Sequence, residues 1–201
     1  MPLSEEGRQQ AAALGERLGP IAFARIVSSP LLRARQTAEA IAEAPGAAPR
    51  PRIETDARLL EMDYGSWEGL TYAQIDEQGA DERRRWEADP AEMACPGGES
   101  GNDVAARARA FLAALLEEDR LHSPGTTKER PVLVVAHSSL NRILLCVALG
   151  FPIREFRQRL VQSQVNLTAL HWAQGSSPDQ ARLLLLNDVA HVRNPPQVPW
   201  E

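Results

Sequence analysis

The sequence predicts an α/β domain with a largely parallel sheet flanked by helices. Short apolar strand-like runs alternate with segments of helical spacing along the chain. One of those runs, Val132-Leu-Val-Val-Ala136, is apolar at every position, the pattern of a strand buried on both faces. At 201 residues and 22.1 kDa the chain suits one domain with a full core. It is read as a single domain over 1–201, with a helical insertion at about 71–100.

The elements follow in order. Ser4 suits the N-cap of a first helix that runs to about Leu18, with Ala11, Leu14 and Leu18 on one stripe and Gly19-Pro20 as the stop. A strand near Ala24 to Val27 leads through a serine turn into a helix from Pro30 to about Glu43. Ser29 suits its N-cap, and Pro30 the first helical position, where a missing N–H costs nothing. Pro45 to Pro51 is a loop, and Arg52 to Thr55 a short strand. Thr71 to Asp89 is polar with helical spacing through Ile75 and Trp86, either a small subdomain or a lid. After the turn Pro96-Gly-Gly-Glu-Ser100, Val104 to Glu118 is an amphipathic helix. The loop Ser123-Pro-Gly125 precedes the apolar strand, and Ser138 and Ser139 cap a helix to about Leu149. Two strands, Leu167 to Trp172 and Ala181 to Leu186, and an extended tail, Asn194 to Trp200, complete the chain.

The bulk composition excludes several function classes. Hydrophobic residues at 43% and charged residues at 24% are ordinary for a globular domain. A net charge of -5 and a pI near 5.5 argue against nucleic acid or an anionic membrane as partner. Arg83-Arg84-Arg85 lies among acidic residues and reads as a solvated helix face. The two cysteines have no disulfide or metal spacing; Cys146 reads as a small core residue and Cys95 as an unactivated loop residue. No run has membrane length and no signal-peptide pattern opens the chain, so a cytoplasmic protein is expected.

Three places could carry chemistry. Arg33 falls in the first turn of the second helix, where a cation opposes the helix dipole. That placement makes sense if an anion such as phosphate sits in front of the helix; the alternative is a solvated arginine. His137 stands at the same kind of junction, strand end to serine turn to helix, and ligands of open α/β sheets collect beyond such strand ends. Arg58-Leu-Leu-Glu-Met-Asp-Tyr-Gly-Ser-Trp-Glu-Gly69 holds three carboxylates, Glu61, Asp63 and Glu68. One packed against apolar neighbours could donate a proton near neutral pH, but the residues alone do not choose among them.

Ser28-Ser-Pro-Leu-Leu-Arg-Ala-Arg-Gln-Thr-Ala38, Leu-Leu-Glu-Met-Asp-Tyr-Gly-Ser-Trp-Glu-Gly69, Pro-Gly-Gly-Glu-Ser100 and Val-Val-Ala-His137 occur in that order. In this the chain resembles the histidine phosphatase superfamily over nearly its whole length, from Pro2-Leu-Ser4 and Gly7-Arg-Gln-Gln-Ala11 onward. The resemblance implies a phosphoglycerate-mutase-like fold. It implies Arg33 as a phosphate clamp, whose planar fork suits paired hydrogen bonds to phosphate oxygens. His137 becomes the second active-site histidine and Glu61 the general acid that protonates the leaving alcohol. Ser138 stands at a phosphate-contacting position where relatives usually carry glycine. His191 resembles C-terminal segments that reach the pocket in some members. His122 and His171 match no catalytic position and read as surface and strand residues.

The family's nucleophile is a histidine in an Arg-His-Gly motif at the end of a first strand. In relatives that motif stands before the equivalent of Pro2-Leu-Ser4, and none of the four histidines here lies in it. The expectation is a start codon placed downstream of the natural one, with the nucleophile, one clamp arginine and the first strand left outside. Losing three or four buried apolar side chains at about 1.5–3 kcal/mol each removes roughly 5–12 kcal/mol, against a whole-domain stability of about 5–15 kcal/mol.

The expected activity is hydrolysis of a phosphomonoester, a small phosphorylated metabolite, through phosphohistidine, with no metal and no cofactor. Phosphoglycerate mutase activity is the alternative, disfavoured by the short spacing between Glu61 and Pro96-Gly-Gly-Glu-Ser100. A non-catalytic phosphate-binding or interaction protein is the alternative of another class. The oligomeric state is not legible in the sequence.

Overall fold

The computed structural model describes residues 1–46, 48, 51–122 and 130–192, without the side chains of residues 119–122. The Ser123–Gly125 loop, the Asn194–Trp200 tail, the side chain of His122 and part of the Pro45–Pro51 loop therefore lie outside the described residues.

The elements are α1 (Glu5–Leu18), β1 (Arg25–Ser28), α2 (Leu32–Ala42), β2 (Ile53–Thr55), α3 (Tyr72–Ala88), α4 (Gly101–His122), β3 (Val132–Val135), α5 (Ser138–Leu149), α6 (Phe156–Arg159), β4 (Leu167–His171) and β5 (Arg182–Asp188). α1 begins as its sequence dictates. The Ser4 hydroxyl accepts the Gly7 N–H, two glutamates occupy the first turn, and Ala11, Leu14 and Leu18 are buried. α3 changes direction at Gly79, whose backbone is extended, and buries Ile75 and Trp86. Arg83 of its basic run is paired with Asp76 and Glu87, and Arg84 with Asp81.

β2, β1 and β3 form a parallel sheet in that order, and β4 and β5 an antiparallel pair. Helices flank the sheet, as the α/β reading expects. Ile26, Leu133, Leu14, Leu18, Phe23 and Ile41 pack into one core beneath α1 and α2. Val27, Leu59, Met62, Val104, Phe111 and Leu140 belong to a second, larger core. Residues of β3 alternate between the two, Leu133 and Val135 toward the first, Val132 and Val134 toward the second. β4 does the same, with Leu167 against the first core and Leu170 against the second. β3 and β4 thus run between the same two layers, yet among the described residues β3 pairs only with β1 and β4 only with β5.

Three local expectations need correction. β3 is not buried on both faces throughout: of its four residues only Leu133 is buried, and among the described residues β3 is paired on one edge alone, with β1. Ser29 does not cap α2, which starts two residues later than expected, with Leu31 at the N-cap. The Ser29 N–H still donates to Val135 across the sheet, so the chain has not yet turned out of β1 at that point. Ser138 and Ser139 do not cap α5 either; His137 occupies the N-cap, and the helix end is satisfied from another part of the chain.

Candidate active site

The N-terminus of α5 is capped across space by Glu61. One oxygen of its carboxylate accepts the Leu140 N–H at 3.0 Å and the Met62 N–H at 2.9 Å, and the other accepts the Ser139 N–H at 3.3 Å. A carboxylate there is favoured by the free N–H groups and by the positive end of the helix dipole. Of the three carboxylates left open by the sequence, Glu61 is the one set beside His137; Asp63 instead accepts the Gly65 N–H and Glu68 faces Tyr64 N–H at 3.5 Å.

Two glycines make the Glu61 loop possible. Gly65 has φ +54°, and a Cβ there would lie 2.2 Å from the Pro96 carbonyl oxygen. A Cβ on Gly98 would lie 2.3 Å from the Asp63 carbonyl oxygen. The segments Tyr64-Gly-Ser-Trp67 and Pro96-Gly-Gly-Glu99 therefore touch backbone to backbone, closer than any side chain permits. Glu99 completes the join: its carboxylate accepts the Asp63 N–H at 3.0 Å and takes Arg107 through both oxygens, each at 2.9 Å.

His137 is 6% exposed, and its Nε2 lies 2.8 Å from the Ser29 hydroxyl. The same hydroxyl oxygen accepts the Leu31 N–H. Burial first, then the charges of Arg33 and Arg107, lower the imidazole pKa from 6.5 to about 4. The ring is therefore neutral at pH 7. Arg33, the second residue of α2, is half-buried and forms no ion pair with any described residue, so its charge is free to meet an anion. Ser138 is exposed at the first position of α5. Tyr64 closes the other side, its hydroxyl 2.7 Å from that of Ser139. Burial pushes the phenol upward, so it is neutral.

Glu61, His137, Ser138 and the charge of Arg33 are thus brought to one place, the junction of β1 and β3 with their following helices. His191 is held elsewhere, with Nδ1 3.1 Å from Arg17 and Nε2 2.9 Å from the Val165 carbonyl oxygen. His171 lies on β4. Cys95 and Cys146 are buried, and burial raises both thiols to about 11, which leaves them inert near neutral pH. No group of histidines, cysteines and carboxylates among the described residues could hold a metal ion. No helix among them is long and apolar enough to cross a membrane. The sequence marks Ser29 only as a helix cap and does not single out Tyr64, Glu99 or Arg107. Glu99 stood inside a quoted motif, but nothing local marks Arg107 among the arginines of α4.

The profile of the histidine phosphatase superfamily (branch 1) matches residues 1–188. Glucosyl-3-phosphoglycerate phosphatase of Mycobacterium tuberculosis is 39% identical over 182 residues, which cover 90% of this chain and 79% of that protein. Phosphoserine phosphatase 1 of Hydrogenobacter thermophilus is 34% identical over 154 residues, covering 77% and 67%. Among solved structures, the mycobacterial glucosyl-3-phosphoglycerate phosphatase in complex with inorganic phosphate superposes with a TM-score of 0.79. The two are 36% identical, over 95% of this chain and 89% of that one.

Proposed function

Because this chain belongs to the histidine phosphatase superfamily, we propose that it serves metal-independent hydrolysis of a phosphomonoester of a small, polar metabolite. The observation that carries the reading is the meeting of the Glu61 carboxylate and the neutral His137 ring at the start of α5 with the charge of Arg33, which has no ion-pair partner among the described residues. A phosphoryl group at this junction takes charge-assisted hydrogen bonds from Arg33 and a backbone N–H from Ser138. His137, uncharged, adds a hydrogen bond to a phosphoryl oxygen. Glu61, in its protonated form, gives its proton to the departing alkoxide as the P–O bond breaks, and takes one back from the water that attacks the phosphohistidine.

The resemblance implies a nucleophilic histidine in an Arg-His-Gly segment, which the 201 residues do not contain. We place that segment as a strand between the edges of β3 and β4 that are unpaired among the described residues, where it would meet both cores and end beside His137. Its ring nitrogen bonds to phosphorus while the alcohol leaves; water then attacks the phosphohistidine and releases inorganic phosphate. Positioning and charge stabilisation suffice for such a transfer, so the reaction requires no metal ion. A sugar-linked phosphoglycerate, the substrate in the name of the mycobacterial relative, is the first compound to test.

The test measures inorganic phosphate released from glucosyl-3-phosphoglycerate, phosphoserine and 3-phosphoglycerate. It compares the 201-residue chain with the same chain preceded by an apolar strand ending in Arg-His-Gly. Phosphate release by the extended chain, abolished by Glu61→Gln, is expected. Isomerisation of 3-phosphoglycerate without phosphate release, or no turnover of any phosphomonoester by either form, overturns the reading.

A further inference from the structure

We infer that Arg107, with Glu99 behind it, is the positioning residue that sets where Glu61 presents its carboxylate. The inference rests on Glu61 as the proton donor and adds a residue outside the motifs to that role. Arg107 projects from α4, two turns after Glu99, and its side chain is only 17% exposed. Nη1 donates to the carbonyl oxygens of Arg58 at 2.8 Å and Leu60 at 2.6 Å, and Nη2 donates to that of Glu61 at 3.2 Å. Nε and Nη2 also donate to Glu99.

One guanidinium thus gathers three carbonyls of the acid-bearing loop. No regular ladder could satisfy them, since Arg58 and Leu60 lie at the end of a single 3-10 turn, Ala57–Leu59. Half-buried carbonyls of an irregular segment need such donors, and the planar fork of arginine reaches them together. The clamp holds the loop on one side of Glu61, at residues 58–61, and Glu99 holds it on the other through the Asp63 N–H. Glu61 lies between two fixed points, with its carboxylate on the N–H groups of Ser139 and Leu140. The location of Arg107 fits a second effect, because its charge is also among those that keep His137 neutral.

The Ser139 and Leu140 amides report on the Glu61 carboxylate directly, so the test needs no turnover. Amide resonances of the full chain are recorded for wild type, Glu61→Ala as the reference for a lost acceptor, Arg107→Gln, Arg107→Lys and Glu99→Gln. The expected result is a shift of both amides toward their Glu61→Ala positions, with faster solvent exchange, in both Arg107 variants. Lysine keeps the charge but not the fork and does not rescue. Should Arg107→Gln fail to fold, Glu99→Gln shows the same shift in smaller degree. Wild-type positions for both amides in the folded variants, with only the melting temperature lowered, would make Arg107 a plain structural tie and overturn the inference. Rescue by lysine would do the same. Failure of the phosphatase assay leaves these readouts untouched, so the two readings fail separately.

Discussion

Acidification tests the His137 environment without any assumption about turnover. In the unfolded chain the ring takes a proton near pH 6.5, and in the folded protein only near pH 4. Between those values the unfolded state binds more protons, so stability rises with pH there. The contribution is complete above about pH 6.5 and is lost as the pH falls toward about 4. At about 1.4 kcal/mol per pKa unit, the drop from 6.5 to about 4 corresponds to about 3 kcal/mol, a large share of a domain's stability. Carboxylates with lowered pKa, such as Asp56 and Asp188, lose stability in the same direction, so His137 is isolated by difference. The assay is urea unfolding of wild type and His137→Gln from about pH 7.5 to about pH 4, and the wild type should lose about 3 kcal/mol more than the variant. In an Arg33→Gln background the difference should shrink, because the second-largest cause of the depressed pKa is gone. Saturating inorganic phosphate should shrink it too, since an anion beside the ring favours the imidazolium. A wild-type-minus-variant difference that stays constant across this range would refute the buried neutral ring.

Two further outcomes follow from the same geometry. Gly98→Ala places a Cβ 2.3 Å from the Asp63 carbonyl oxygen and 2.7 Å from the Gly65 nitrogen, both backbone atoms that cannot rotate away. The expected loss is about 1–3 kcal/mol in urea unfolding, with weaker phosphate binding by calorimetry as the Glu61 loop moves; a neutral effect on both would show the two segments separate freely. EDTA should leave phosphate release by the active form unchanged, and strong inhibition reversed by added divalent metal would count against a reaction carried by arginine, histidine and glutamate alone.

Much of the fold was legible locally. Ser4 with two glutamates announces α1, the strand-to-serine-turn-to-helix pattern announces β1 with α2 and β3 with α5, and both junctions lie where the sequence put them. Arg33 and His137 were visible for the same reason: a charged or titratable residue at the start of a helix is a local oddity. The starts of α2 and α5 differ from expectation because their serines and end groups find partners far along the chain. The Ser29 hydroxyl meets a ring 108 residues away, and the end of α5 is satisfied by Glu61, 78 and 79 residues away, rather than by the serines beside it.

What the sequence by itself determined is the order of elements, the apolar faces that must be covered and the residue types able to meet a phosphate. Backbone periodicity and helix-end chemistry act within a few residues, so they can be read from the chain directly. Only the tertiary structure decided which of three neighbouring carboxylates caps the helix that follows His137, that Gly65 and Gly98 let two backbones touch, and that Arg107 holds residues 58–61 of the acid-bearing loop. It also decided that β3 and β4, alike in packing against both cores, join different sheets, β3 beside β1 and β4 beside β5. These depend on contacts between segments tens of residues apart, whose energies arise only when packing brings polar groups out of water together.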